Sequence, residues 1–246
     1  MKIRLDELLV SRGLAETRSA AQRLVMEGKV RVKNIPHPKS GNKYPDDIEV
    51  ELLSGNRFVS RGGEKLEGAF RAFVLDVTGL KCLDIGASTG GFTDCLLQYG
   101  AKHVVALDVG TNQLHHKMRA DPRVTVMEKF NARTLTIDDL PYAPEFAVCD
   151  VSFISLRLIL PPLLEVLVPG AGIITLIKPQ FEAGKSQVGK GGVVRDETVR
   201  QEVVQSIKDF GETIGFQWKG VAESPITGPK GNVEYTAWWT KKHPDL

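Results

Sequence analysis

The sequence contains few of the residues that build disulfide-rich or zinc-stabilised proteins. Among its 246 residues there are three cysteines, Cys82, Cys95 and Cys149, and they show no short pairing pattern. An odd number of widely spaced cysteines argues against a disulfide framework and against a zinc site. We therefore expect three thiols in the protein core and no bound metal.

Long apolar runs are also missing. The most apolar region, 153–177, is interrupted by Arg157, Glu165, three prolines and two glycines. A membrane-spanning helix needs ~20 consecutive apolar residues, and no stretch resembles a signal peptide. With 42% hydrophobic and 25% charged residues, the composition is typical of a globular protein. We expect it in the cytoplasm, without a membrane partner.

Charge of one sign does not dominate the chain, because the formal net charge is only +2. Its distribution is uneven: residues 1–59 hold 11 Lys and Arg against 8 Asp and Glu, a net charge of +3. The remaining residues carry a net charge of −1. A basic excess at the N-terminus is expected of a module that binds an anionic polymer.

The first 59 residues predict a small α+β domain. Leu5, Leu8 and Leu9 share one helical face, and Thr17 begins a second helix that ends near Gly28. The segments 29–33 and 48–52 alternate as strands, with a loop over 34–47. Residues 54–64 predict a hinge, followed by an amphipathic helix and a second domain over 60–246.

From Leu80 onward, strand and helix patterns alternate along the chain. The predicted strands are 80–85, 103–108, 124–127, 146–150, 172–178, 215–222 and 233–240. The predicted helices are 90–98, 111–119, 136–140, 154–167 and 196–211. Regular alternation of this kind predicts a doubly wound α/β domain with a seven-stranded sheet.

A glycine-rich turn follows the first predicted strand of this domain, in "DIGASTGG" (84–91). Ser88 stands where a dinucleotide fingerprint has its middle glycine, which argues against NAD or FAD. The glycines still allow close approach of a ligand to the backbone. Asp108 ends the next strand, where a carboxylate can accept hydrogen bonds from ribose hydroxyls. The turn therefore predicts a nucleoside-containing ligand.

A second glycine-rich loop, "GKSQVGKG" (184–191), has the spacing of a P-loop but ends in Gly191. A P-loop needs Ser or Thr there to hold magnesium, so we reject a nucleotide hydrolase. Lys185, Lys190 and Arg195 among these glycines predict a mobile basic lid over a nucleic acid, and an ordinary flexible loop is nearly as well supported.

The residues at the ends of the predicted strands indicate the reaction, because ligands bind at this edge of an open α/β sheet. Enzymes that methylate base amines have Asp/Asn-Pro-Pro-Tyr/Phe after the fourth strand, whereas this chain has "DVSF", which begins at Asp150. Cys149 is predicted to point into the sheet, which argues against a cysteine nucleophile. Lys178 directly follows an apolar strand, and such an amine suits proton transfer from a hydroxyl. Lys65 is expected to favour the neutral amine as a neighbouring cation.

The segment "RLDELLVSRGLAETRSAAQRLVMEGKVRVKN" resembles the S-four domain, a small RNA-binding fold named after a ribosomal protein. In that family the second helix and the turn after it present basic groups to RNA. The resemblance therefore implies that a set of basic side chains contacts RNA phosphates. The matching positions are Arg4, Arg12, Arg18, Arg23, Lys29, Arg31 and Lys33.

The second domain resembles the FtsJ-like ribose 2′-O-methyltransferases, whose Lys-Asp-Lys-Glu tetrad matches Lys65, Asp150, Lys178 and Glu234. The glycine turn resembles their S-adenosylmethionine turn, although Thr89 replaces the usual proline. The resemblance implies S-adenosyl-L-methionine as cofactor and ten residues that bind it: Asp84, Gly86, Ala87, Ser88, Thr89, Gly90, Gly91, Asp108, Asn131 and Asp150.

Both domains together resemble the TlyA (hemolysin A) family of rRNA cytidine-2′-O-methyltransferases, on "ASTGGFTD", "VSFISL", "IKPQFE" and "GNVEY". The resemblance implies ribosomal RNA within a ribosomal subunit as substrate, with the large subunit favoured for shorter members. Two other functions stay open. The family's second name suggests a membrane-active toxin, and loss of catalysis would leave an RNA-binding ribosome-assembly factor.

Overall fold

The computed structural model describes residues 2–26, 28–33, 35, 38–52 and 57–243. The chain divides into two compact units, Met1–Arg57 and Phe58–Leu246, and the expected boundary at 59/60 lies two residues from this division. Residues 54–56 of the expected hinge lie outside the described residues. Each unit has a core of its own.

The first unit combines two helices with two small antiparallel sheets. The helices are α1 (Leu5–Ser11) and α2 (Arg18–Met26). One sheet pairs β1 (Lys2–Arg4) with β3 (Lys43–Pro45), and the other pairs β2 (Val30–Val32) with β4 (Val50–Leu52). Buried apolar side chains between them form the core: Leu5, Leu9, Ala21, Val30, Val32 and Tyr44.

Two predictions for this unit are wrong. Only one small sheet was expected, and 34–47 was expected to be a loop, whereas β3 lies within that segment. Unlike β2 and β4, which each contain two apolar side chains separated by one polar residue, β3 has no alternating pattern, and it lies in a stretch with three prolines and a glycine that is typical of a loop. Asn34, Pro36 and His37 of the expected loop lie outside the described residues.

The second unit is built on a seven-stranded sheet, which confirms the doubly wound α/β fold. Its strands are β5 (Lys81–Ile85), β6 (His103–Leu107), β7 (Val124–Met127), β8 (Phe146–Cys149), β9 (Gly172–Ile177), β10 (Phe216–Glu223) and β11 (Tyr235–Lys241). Their spatial order is β10-β11-β9-β8-β5-β6-β7, and β11 runs antiparallel to both its neighbours. The order reverses beside β5, which creates the crevice where ligands bind in such sheets.

The helices of this unit cover the two faces of the sheet. They are α3 (Gly62–Phe73), α4 (Gly91–Gln98), α5 (His116–Arg119), α6 (Leu160–Val166), α7 (Pro179–Glu182) and α8 (Glu197–Ile214). Short 3-10 turns occur at 132–134, 137–139, 156–158 and 229–231. Because α3 begins at Gly62, the last residues of the expected hinge are helical.

Several helix predictions differ from the structure. The helix expected at 111–119 is one turn long, because Asn112 has a positive φ of 55° and His115 caps α5. The helix expected at 136–140 is a 3-10 turn. The one expected at 154–167 is interrupted at Ile159, because Pro161 and Pro162 lack the backbone N–H donors of a helix interior and fit only its first turn.

Alternating strand residues fill a core on each face of the sheet. Trp239 is fully buried on one face, where its indole Nε1 donates to Thr175 Oγ1 at 3.0 Å. Trp238 is half-buried on the other face and stacks on Phe146. All three cysteines are free and buried, as expected. Within the described ranges, no helix has the length and apolarity needed to cross a membrane.

Candidate active site

A cavity of about 550 Å³ opens at the carboxyl ends of β5, β6 and β8. Five of the residues predicted to bind the cofactor line it: Gly86, Ser88, Asp108, Asn131 and Asp150. The other five do not line the cavity and lie in the same turn or in the strand and helix that it joins: Asp84, Ala87, Thr89, Gly90 and Gly91. The structure therefore places all ten predicted cofactor residues at one end of the sheet, and five of them form part of the cavity wall.

The glycine turn approaches the end of β8 closely. Gly86 has a φ of 83°, and a Cβ placed on it would lie 2.5 Å from the backbone oxygen of Asp150. Only glycine combines this backbone angle with such an approach. Ser88 has a φ of 47°, so the turn holds a non-glycine residue in the left-handed region at the cavity wall. Gly90, with a φ of 91°, caps α4.

Asp108 ties the turn to the end of β6. Its two carboxylate oxygens accept hydrogen bonds from the backbone N–H of Ser88 and of Gly110, each at 2.7 Å. A carboxylate has about four lone-pair sites, so each oxygen keeps capacity for a further donor such as a ribose hydroxyl. The position therefore suits the predicted contact to a nucleoside.

Asp84 lies fully buried beneath the turn. Its Oδ2 accepts from Thr93 Oγ1 at 2.6 Å, whereas Oδ1 finds no hydrogen-bond partner in the described part of the chain. Desolvation by burial raises the pKa of Asp84 to about 7, and repulsion from Asp150 contributes in the same direction. A buried acceptor without a donor, beside a nucleoside-sized cavity, fits a ligand that carries positive charge, as S-adenosylmethionine does.

The four residues of the predicted tetrad form two ion pairs. Lys178 Nζ lies 2.5 Å from Asp150 Oδ1, in an ion pair without hydrogen-bond alignment, and it donates to Ser152 Oγ at 2.8 Å. Lys65 Nζ donates to Glu234 Oε2 at 2.6 Å. The side chains are 8%, 19%, 11% and 0% exposed for Lys178, Asp150, Lys65 and Glu234. Water therefore screens these charges only weakly.

The sheet brings the two pairs to the same edge. Tyr235 pairs with Ile177 across β11 and β9, so Glu234 and Lys178 are the next residues on adjacent strands. Gln180, in α7, then donates from Nε2 to Glu234 Oε1 at 2.9 Å. Lys65 lies on α3, so its place in the tetrad cannot be predicted from the residues at strand ends.

The site excludes a cysteine nucleophile. Cys149 is fully buried in β8, and burial raises the pKa of its thiol far above the usual range. A thiol of this kind is not the thiolate nucleophile that methyl transfer to a base carbon requires. Within the described ranges, no three His, Cys, Asp or Glu side chains are grouped so that they could hold a metal ion.

Three residues at this site were not predicted from the sequence: Ser152, Phe153 and Gln180. Phe153 has a positive φ of 63° and is 91% exposed, and its ring centroid is 5.0 Å from that of Phe181. It lines the cavity one position after Ser152. An exposed aromatic held in a strained conformation suits stacking of a nucleobase. A sequence signal for Phe153 was available, because it occupies the aromatic position of the Asp/Asn-Pro-Pro-Tyr/Phe pattern.

The second glycine loop is held at one end. A Gly189–Val193 bridge closes it, and the Asn232 side chain bonds to Val194 N and Gly192 O at 3.2 and 2.9 Å. The three basic residues expected to contact nucleic acid are all exposed: Lys185, Lys190 and Arg195. Their contact with RNA and the motion of the loop stay predictions.

Most of the predicted RNA-binding residues of the first unit already have partners. Arg4 and Arg18 both bond to Asp6, whose buried carboxylate has a pKa lowered mainly by its hydrogen bond with Arg4. Arg12 donates to two backbone carbonyls, of Asp46 and Ile48.

The remaining four differ in exposure. Arg31 pairs with Glu51 and Lys33 with Glu49 across the second small sheet, and both pairs are exposed. Arg23 is exposed near the end of α2, and Lys29 is half-buried. Exposed ion pairs contribute little to stability, so RNA phosphates can compete for these cations. Their role in RNA binding stays a prediction.

The comparisons with known proteins agree with this architecture. An FtsJ-like methyltransferase family matches residues 58–241, and an S4 domain matches residues 3–34. The chain is 46% identical over 239 residues to the 16S/23S rRNA (cytidine-2′-O)-methyltransferase TlyA of Mycobacterium tuberculosis, which covers 96% of this chain and 89% of that protein. It is 44% identical over 236 residues to hemolysin A of Brachyspira hyodysenteriae, which covers 96% and 98%.

A solved structure from Streptococcus thermophilus that carries a hemolysin name is 48% identical, with a TM-score of 0.76, and covers 98% of this chain and 89% of that one. The match over residues 58–241 and the identities over most of the chain show that this protein belongs to the FtsJ-like methyltransferases, as a TlyA-type member with an N-terminal S4 domain and with S-adenosyl-L-methionine as its cofactor.

Proposed function

We propose that this methyltransferase modifies the ribose 2′-hydroxyl of a cytidine in ribosomal RNA. The observation that carries the proposal is the buried amine of Lys178, held between Asp150 and Ser152 where both of these residues line the cofactor cavity. The names of the relatives support ribosomal RNA and cytidine as substrate. Because ribosomes are made and used in the cytoplasm, we place the activity there.

The residues predicted to bind the cofactor have different roles. Asp108 is placed to accept hydrogen bonds from a ribose, and the buried Asp84 favours a cationic group. Gly86 lets the turn pack closely against the end of β8 at the cavity wall. When bound, S-adenosylmethionine supplies an electrophilic methyl carbon on a sulfonium.

The chemical role that we propose for Lys178 is general base. A hydroxyl oxygen is a poor nucleophile until its proton is removed. A neutral amine can accept that proton as the new oxygen–carbon bond forms, while the bond from the methyl carbon to the sulfonium sulfur would break and its electron pair would stay on sulfur as a neutral thioether. Asp150, 2.5 Å from Nζ, then stabilises the ammonium that results. Lys65, fixed by Glu234, places a second positive charge at the same edge of the sheet, and Phe153 offers its face to the base.

The test is transfer of labelled methyl from S-adenosylmethionine to purified ribosomal subunits, followed by mapping of the modified nucleotide. We expect the label on the ribose of a cytidine, with the large subunit preferred. Label on a base would contradict the proposed chemistry, and label on another nucleotide would contradict the proposed substrate.

A matched pair of lysine variants tests the role of the amine. Lys178→Arg keeps the positive charge beside Asp150 but cannot act as a base, so transfer should fall by about 10²–10⁴-fold while RNA binding persists. Lys241→Arg is the control, since Lys241 Nζ donates to the Leu167 carbonyl at 2.8 Å at the far end of β11. The control should transfer methyl at the unchanged rate.

The same variants separate catalysis from a purely structural role in ribosome assembly. If cells that carry Lys178→Arg assemble ribosomes normally and lack only the methyl group, methyl transfer and assembly are separate activities. If the wild-type protein transfers no methyl group and still supports assembly, the RNA-binding alternative replaces our proposal.

A further inference from the structure

We infer that Gln180 is a positioning residue of the catalytic site, whose neutral amide fixes Glu234 so that its other carboxylate oxygen holds Lys65. The inference rests on the proposed function, because it assigns a role within the same reaction. Gln180 Nε2 donates to Glu234 Oε1 at 2.9 Å, and Lys65 Nζ donates to Oε2 at 2.6 Å. Each oxygen of this carboxylate is thereby assigned to one donor.

The carboxylate is enclosed on a third side by backbone. Gly228 lies so close to the Glu234 carboxyl that any Cβ at position 228 would overlap it. The Glu234 side chain has no exposed surface. A buried carboxylate requires hydrogen bonds to most of its lone pairs, and Gln180 supplies one of the two side-chain donors that Glu234 has among the residues the structure describes. Without Gln180 the carboxylate can rotate away from Lys65.

The neutrality of the donor follows from the charges around it. Lys65 and Lys178 balance Asp150 and Glu234 in two buried ion pairs. A lysine or arginine at position 180 would add a third cation, and an acidic residue would place a carboxylate against Glu234. A glutamine adds a hydrogen-bond donor and leaves the charge of the site unchanged.

The position of Gln180 connects the two ion pairs. It lies two residues after Lys178, and Pro179 between them begins α7. The rigid φ of Pro179 fixes the direction in which α7 leaves the strand end. The amide therefore couples the position of Glu234, and through it Lys65, to the backbone that carries Lys178.

Packing alone does not account for the amide. Gln180 Oε1 is buried, and it lacks a hydrogen-bond partner among the residues that the structure describes. A buried oxygen of this kind costs free energy, so an apolar side chain would suit the fold better at this atom. Turning the amide over would bring its oxygen against the carboxylate of Glu234, which fixes the orientation with Nε2 as donor. The contribution of Gln180 to the site is therefore the hydrogen bond that its Nε2 donates to Glu234.

Two variants of Gln180 test the inference in the methyl-transfer assay. Gln180→Leu removes the donor, and we expect kcat to fall about tenfold at every pH, as for loss of a hydrogen bond to a charged group. The KM for S-adenosylmethionine should stay within about twofold, because Gln180 does not line the cofactor cavity. Gln205→Leu is the control, since Gln205 makes the same kind of bond to Asp209 on the exposed face of α8.

Gln180→Glu supplies a readout that a packing role would not change. At low pH the introduced carboxyl carries a proton and can donate to Glu234 in place of the amide. As the pH rises, the proton is lost, the two carboxylates repel each other and the hold on Lys65 fails. The ratio of the variant's kcat to the wild-type kcat should therefore approach one near pH 6 and fall about tenfold or more by pH 9.

The outcomes separate this inference from the proposed function. A ratio for Gln180→Glu that does not change with pH, or a wild-type rate in Gln180→Leu, overturns the positioning role while wild-type ribose methylation stands. Absence of ribose methylation by the wild-type protein overturns the proposed function, and the positioning role with it. Because the introduced glutamate has the shape of glutamine, its low-pH rate also reports whether the variant is folded.

Discussion

Lys65 and Glu234 are 169 positions apart in the sequence, and their side chains meet in a buried ion pair with 2.6 Å between Nζ and Oε2. The lysine lies on α3, before the sheet begins, and the glutamate directly precedes the last strand. The pair therefore joins the first and last elements of the catalytic unit. Its formation requires the whole unit to be folded.

A double-mutant cycle on this pair should show strong coupling. Lys65→Met or Glu234→Gln alone leaves one buried charge without its partner, which should lower the free energy of unfolding by about 3–5 kcal/mol. The double variant should recover part of that loss, and all three variants should lose methyl transfer. Urea unfolding followed by circular dichroism measures the three differences.

The control for this cycle is a pair with one exposed partner in the same unit. Arg123 Nη2 lies 2.7 Å from Asp121 Oδ2, and the side chains are 48% and 17% exposed, against 11% and 0% for Lys65 and Glu234. The same cycle there should give a coupling energy of less than about 1 kcal/mol. Equal coupling energies in the two cycles would contradict the argument that burial gives the Lys65–Glu234 pair its strength.

Gly86→Ala should damage both the fold and the cofactor site. Its Cβ would lie 2.5 Å from Asp150 O, and its φ of 83° is unfavourable for alanine. Gly79 has a similar φ of 77°, but a Cβ there would have open space around it. Gly79→Ala should cost about 1–2 kcal/mol from the backbone alone.

The difference between the two glycine variants isolates the contact with Asp150. We expect Gly86→Ala to be clearly less stable than Gly79→Ala and to bind S-adenosylmethionine more weakly. Thermal unfolding and calorimetric titration with the cofactor measure the two effects. Equal losses in both variants would mean that the turn does not need close approach to the end of β8.

Much of the catalytic unit could be predicted because its strands are apolar and regularly spaced. All seven predicted strands are present, and the tetrad follows from residues at strand ends and from motif resemblance. By contrast, β1, β3 and α7 were missed. In β1 and β3 no two apolar side chains alternate with a polar one, and α7 is a single turn, so hydrophobic periodicity does not identify them.

The parts of the site that could not be predicted depend on contacts between distant segments. The bond from Gln180 to Glu234 requires the register of β9 against β11, which no local pattern specifies. The exposure of Phe153 requires a backbone conformation that its residue type rarely adopts. The acidic partners of the basic side chains, such as Glu49 and Glu51, also appear only when strands pair.

Removing two acidic partners in the first unit should strengthen RNA binding. Arg31 and Lys33 pair with Glu51 and Glu49 at 3.1 and 2.7 Å, in exposed positions. The double variant Glu49→Gln with Glu51→Gln frees both cations for phosphates, so affinity for an rRNA fragment should rise several-fold at low salt and depend more steeply on salt. Filter binding over a range of KCl concentrations measures both.

An exposed glutamate elsewhere in the first unit serves as the control for charge alone. Glu16→Gln removes one negative charge at an exposed position outside both pairs. It should change the logarithm of the affinity by much less than half of the change in the double variant, which removes two charges. If the change per charge removed is the same in both, for affinity and for its salt dependence, this face of the small sheet does not contact RNA.

Binding of S-adenosylmethionine should release a proton from Asp84. Burial raises the pKa of this carboxyl to about 7, so below that pH the free protein holds it protonated. A cationic ligand nearby favours the ionised form, so the proton should leave when the ligand binds. We expect release on the order of one proton near pH 6 and little release near pH 8.

Calorimetric titrations in two buffers of different ionisation enthalpy measure this release directly. Asp84→Asn should abolish it, and a variant that still releases the proton would assign it to another group.

The same shift predicts the effect of Asp84 on stability. A carboxyl whose pKa is higher in the folded than in the unfolded state contributes stability at acidic pH, and this is lost as the pH rises through about 7. We therefore subtract the free energy of unfolding of the wild-type protein from that of Asp84→Asn at each pH. This difference should be more positive at pH 8 than at pH 5. Because Thr93 can still donate to the amide oxygen, the comparison isolates the charge.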